Sequence, residues 1–202
     1  MGFWDTLLGR TRPVAPDLDR LFGLPSAAVT LEAAVGLTPT GTGAVCCATA
    51  EGAAFTEVYE EVRALLDADT ARGGGPPVEP VRDEYGYSWL VSRRTPDALP
   101  ALVSDLHAVN STLEGSGFGP QLLCSVVGFH DARDRGAGDG RRLGLVYLYK
   151  RGTFYPFAPV AGGTGQRRDS ALELQVRAAL GEELRIEQDL GRWFPIWGAP
   201  GL

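Results

Sequence analysis

The sequence predicts an α+β domain, with a mostly antiparallel sheet and helices packed on one face. Three observations predict it. Windows 53–69 and 95–117 repeat apolar residues at three- and four-residue spacing, the mark of a helix with one buried side. Residues 121–160 hold three β-branched and aromatic runs separated by glycine-containing turns. Strands joined by such short connections must run antiparallel. At 202 residues, with 44% hydrophobic and 22% charged residues, the chain has the composition of one ordinary globular domain.

The elements follow in order. "MGFWDTLLGR" places Phe3, Trp4, Leu7 and Leu8 within a stripe of about 140° on a helix turning about 100° per residue. Asp5 and Arg10 suit its dipole. Pro13 and Pro16 then break it. Residues 1–16 therefore read as an amphipathic arm with a proline linker, and 17–202 as a single domain with an aromatic C-terminal tail. A segment shorter than about 12 residues rarely holds a helix alone in water. The arm needs a surface: its own domain, a partner protein, or a membrane interface. Arg10 and Arg12 suit anionic headgroups, although no polybasic cluster reinforces them.

Asp17 caps a turn over "DLDRLFGL", and Ser26 caps "AAVTLEAAV", which stops at Gly36. "TGTGAVCCATA" is a strand. "AAFTEVYEEVRALLDAD" is a helix with Phe55, Val58, Tyr59, Val62, Leu65 and Leu66 on one face. "TARGGGPP" is a loop, and "VEPVRDEYGYSWLVSRR" is two strands around Gly86 or one bent strand. Asp97 caps the second long helix, whose stripe is Leu99, Leu102, Val103, Leu106, Val109 and Leu113. The strands "QLLCSVVGFHD", "RLGLVYLYK" and "TFYPFAPV" follow, the last two joined at Arg151-Gly152. Ser170 and Glu173 form a capping-box signature for "SALELQVRAALGEEL".

Chemistry is scarce. A net charge of -6 argues against nucleic acid as a partner. Cys46, Cys47 and Cys124 sit in apolar runs, an odd set without framework spacing, which reads as reduced, buried thiols in a cytoplasmic protein. His107 and His130 are the only histidines, and neither has a nucleophile arranged beside it by a known motif. "GSGFGP" follows a helix, the reverse of a phosphate loop. "GGTG" precedes a helix and leads to Arg167 and Arg168, a weak anion-binding alternative. No metal site or cofactor is expected. Aromatic residues crowd the later strands and the tail, where Trp193, Phe194, Ile196 and Trp197 join the arm residues as candidate partner-binding positions.

Several long strings carry a resemblance: "MGFWDTLLGR", "LPSAAVTLEAAVGLTPTGTGAVC", "DLHAVNSTLEGSGFGPQLLCSVVGF", "YLYKRGTFYPFAP", "RRDSALELQVRAALGEEL" and "RWFPIWGAPGL". Through them nearly the whole chain resembles the PspA-associated family PspAB of actinobacteria and archaea. The resemblance implies association with PspA, a coiled-coil protein of the phage-shock envelope-stress response. It also implies a link to a membrane zinc metalloprotease of the HtpX type. It brings no catalytic residues. The element order is also loosely similar to secretion chaperones and YbjN-like proteins. The expected function is a non-catalytic cytoplasmic adaptor or regulator of membrane stress, with possible peripheral contact at the inner face of the membrane. The alternatives are a small-ligand or anion sensor, and a hydrolase-like enzyme using His107 or His130.

Overall fold

The computed structural model describes residues 16–48, 53–67, 78–133, 140–160 and 165–202. The arm, with Phe3, Trp4, Leu7 and Leu8, lies outside the described residues, as does the loop "TARGGGPP".

Six strands form one antiparallel sheet: β1 (Leu37–Cys47), β2 (Glu79–Arg82), β3 (Ser88–Arg93), β4 (Leu122–Asp131), β5 (Arg142–Leu148) and β6 (Thr153–Phe157), in the order β2-β3-β1-β4-β5-β6. Among the described residues, four α-helices accompany it: α1 (Leu24–Val35), α2 (Ala53–Asp67), α3 (Leu99–Leu113) and α4 (Ser170–Leu180). Helix α3 lies across β1, α1 packs on α3, α2 on α3, and α4 against α1 and β6. The fold is the α+β class the sequence predicts.

The apolar stripes of the helices make one core with the sheet. Leu102, Val103, Leu106 and Val109 of α3 are fully buried. A Cβ on Gly43 would stand 3.0 Å from Leu106 Cδ1 and 3.4 Å from Leu102 Cδ1, so that glycine lets α3 lie close on β1. Beside the contact sits a buried ion pair. Arg94, just past β3, holds Asp105 of α3 through both guanidinium arms, Nε to Oδ2 at 2.9 Å and a terminal nitrogen to Oδ1 at 2.7 Å. Ser92 donates to the same carboxylate at 2.7 Å. Deeper on α3, Asn110 donates to Ser125 of β4 at 2.8 Å.

Among the described residues, no α-helix packs on the opposite face of the sheet. The C-terminal segment covers it. Residues 185–187 first run along β6, where Phe154 N donates to Arg185 O at 2.9 Å and Glu187 N to Phe154 O at 2.7 Å. The Glu187 carboxylate is buried at the sheet edge. Desolvation alone would raise its pKa, but hydrogen bonds from Arg151, Asp189 N and Thr153 outweigh that and hold it below the usual range. The chain then crosses back over the sheet. Its end rests on the paired Gly128 and Gly144, where a side chain would collide with Gly201 or Leu202.

Three capping expectations are corrected. The turn Leu18–Gly23 runs straight into α1, so Ser26 lies inside the helix and Pro25 occupies its first turn. Asp97 lies within the short turn Pro96–Ala98 ahead of α3, where a hydrogen bond from Thr95 and its own backbone N–H keep its carboxyl acidic. Asp169, not Ser170, caps α4, accepting from Leu172 N at 2.9 Å. Glu173 is buried instead, accepting from Ala158 N at 2.8 Å and Arg168 Nε at 2.9 Å. A carboxylate that can satisfy the backbone N–H just past β6 and a guanidinium has no reason to turn back to the helix start.

Candidate functional site

The tail face holds an apolar groove of about 710 Å³. Its floor is one row of side chains across four strands. Register pairs Trp89 of β3 with Cys46 of β1, Cys46 with Cys124 of β4, and Cys124 with Leu148 of β5. Alternation along each strand turns this row away from the helices. One wall is Tyr155 with the tail residues Phe194–Trp197, and the other is the β2–β3 turn.

Asp83 builds the second wall. Its Oδ1 accepts from Tyr85 N at 3.0 Å and Tyr87 N at 2.9 Å, while Oδ2 accepts from Trp89 Nε1 at 2.8 Å. Gly86, at φ 86°, permits the reversal. The turn thereby presents Tyr85 and Tyr87 outward, 50% and 44% exposed, with Phe194 at 59% facing them from the tail. Three large exposed aromatics around an apolar floor are unusual for a surface in contact only with water, and Tyr and Trp dominate binding hot spots.

Cys46 and Cys124 lie in the groove floor as free, buried thiols, as the sequence predicts, and Cys47 is also free and buried. A hydrogen bond to Cys124 and burial push the Cys46 thiol far up, and burial raises Cys47 to about 12. Protonated thiols of this kind act as small hydrophobes rather than nucleophiles.

The four tail candidates have different roles. Trp193 is 5% exposed, stacks on Tyr155 at 6.2 Å, and donates through Nε1 to Glu187 O at 3.0 Å. It anchors the wall from inside. Phe194 projects from the rim, and its carbonyl accepts from Tyr155 Oη at 2.8 Å. Ile196 and Trp197 line the groove, half-buried, with Trp197 edge-on to Phe157 at 4.9 Å.

The remaining candidates lie elsewhere. Arg168 is bound to Glu173, donates to Trp193 O at 2.6 Å, and covers the Phe157 ring at 5.1 Å. Its charge supports the tail. Arg167 is exposed beside the bridge from Pro159 to Arg168. His130 is the penultimate residue of β4, opposite Thr38 and Arg142. His107 of α3 lies 3.4 Å from Asp19 through Nε2 and 3.4 Å from Ser111 Oγ through Nδ1, with the Phe22 ring tilted against it at 5.0 Å between centroids.

Ser111, His107 and Asp19 have triad identities that the sequence reading missed, although Ser111 lies one helical turn from His107. Both contacts are longer than a working proton relay, and Asp19 is 88% exposed at its side chain, too solvated to orient an imidazole. We expect Ser111 to resist a fluorophosphonate probe in the intact protein. Stoichiometric labelling lost in His107→Gln would reverse this.

Among the described residues, no group of three or more His, Cys, Asp or Glu side chains could hold a metal ion, and no helix is long and apolar enough to cross a membrane. A family model described as PspA associated protein B matches residues 1–201. No curated protein and no solved structure matches the chain.

Proposed function

Because the chain belongs to the PspA associated protein B family, we propose that it is a non-catalytic adaptor of the PspA membrane-stress system that receives an apolar segment of its partner in the aromatic groove. The family gives a PspA-related role. The observation that carries the mechanism is the groove: a preformed apolar floor with Tyr85, Tyr87 and Phe194 exposed around it. Its volume falls within the range of about 300–1,000 Å³ in which proteins hold compact apolar ligands. A coiled-coil partner carries suitable anchors, because its helices present large aliphatic residues at three- and four-residue spacing. Such an adaptor would work in the cytoplasm, at the inner face of the membrane where PspA acts. A membrane metalloprotease is the second partner this reading admits.

The test is binding of purified PspA to the full chain and to Tyr87→Asp combined with Phe194→Asp. Both side chains project into solvent, 44% and 59% exposed, so the variant should melt within about 1 kcal/mol of the parent. Binding should weaken at least about 30-fold, corresponding to about 2 kcal/mol at a hot spot. Unchanged PspA binding in the folded variant overturns the groove. Binding of the metalloprotease alone moves the role from PspA to the protease.

A further inference from the structure

We propose that the groove is the docking site of the chain's own residues 1–15, with Trp4 and its apolar neighbours over the floor.

The path of the chain is the first support. Asp17, where the described chain begins its first turn, is pinned by Tyr147: its backbone N–H donates to Tyr147 Oη at 3.3 Å, and that hydroxyl donates to Asp17 O at 2.8 Å. Asp17 Cβ also lies 3.5 Å from where a Cβ on Gly152 would stand. Gly152 N in turn donates to Leu148 O at 2.9 Å, and Leu148 lines the groove. The arm therefore leaves the domain at the β5–β6 turn, on the end of the sheet where the groove opens. Leu8 is nine residues before Asp17, a span that can extend to about 30 Å. The proline linker can thus carry the arm around the end of the sheet without crossing β6.

Chemistry is the second support. Phe3, Trp4, Leu7 and Leu8 recur at helical spacing, and apolar side chains grouped in that way are stabilised by leaving water for an apolar surface. The groove supplies one, with Asp83 in its lining and Glu84 beside it, opposite in charge to Arg10 and Arg12. The family match includes the arm, which makes the segment part of the protein as a family member. An arm seated there would compete with any partner for the same floor, but the proposal does not depend on who the partner is.

The experiment places a benzophenone photo-cross-linker at position 4 of the full chain, replacing Trp4. The expected product is an intramolecular cross-link to the peptides carrying 83–89, 148 or 193–197, independent of protein concentration. No cross-link, cross-links on the helical face, a cross-link to a second copy, or cross-links to lipid in place of the groove when anionic vesicles are added would each overturn the proposal. A second variant reads the groove directly. Phe3→Ser, Trp4→Ser, Leu7→Ser and Leu8→Ser together should speed hydroxyl-radical labelling of Tyr85, Tyr87 and Leu148, which line the groove, severalfold. Unchanged labelling in the folded variant overturns it. Should that variant fail to fold, the cross-link map decides. Neither measurement needs PspA, so failure here leaves the adaptor reading standing, and the reverse also holds.

Discussion

Arg94→Met is expected to destabilise the protein by about 3–5 kcal/mol, because it leaves the Asp105 carboxylate buried without its counter-ion. The pair is nearly dry: the side chains are 5% and 3% exposed. Methionine fills the aliphatic volume but offers no proton, so Asp105 loses its charged partner while Ser92 still donates to it. Replacing both, with Arg94→Met and Asp105→Leu, removes the stranded charge and should recover much of the loss. Urea unfolding of the two variants checks this. A loss below about 1 kcal/mol in the single variant would mean the pair is solvated in solution.

Trp193→Ala is expected to cost about 3–5 kcal/mol as well, the range for emptying a buried aromatic site. The indole lies against Tyr155 and bonds to Glu187 O. Its loss also loosens the carbonyl that Arg168 holds. The tail wall should detach from β6, so binding to the groove falls with stability. The neighbouring Phe194→Ala should behave oppositely, nearly neutral in melting while binding weakens, because that ring faces water. Thermal melting with PspA titration on both variants separates wall from rim. Equal melting losses would show that the inside–outside alternation of 193 and 194 is not maintained in solution.

Much of the architecture was legible in the sequence because it is local. The stripe from Leu99 to Leu113 states a helix with one buried face, and the glycine turns between three β-rich runs state antiparallel pairing. The buried, free cysteines and the chain reversal at Arg151-Gly152 were legible for the same reason. Family membership was legible in long strings that need no fold to be compared.

Only the tertiary structure decided what lies across the sheet. Residues 46, 89, 124 and 148 become one floor through strand register, which depends on which strands neighbour each other. "RDEYGYSW" shows an acidic pair in sequence, yet Asp83 is the knot that aims Tyr85 and Tyr87. "RWFPIW" shows four apolar side chains in sequence, yet one is internal, one is exposed and two are half-buried. A side chain's type and its neighbours in the chain set local conformation over a few residues. Whether it faces core, groove or water is set by segments tens of residues away, through packing that no local pattern encodes.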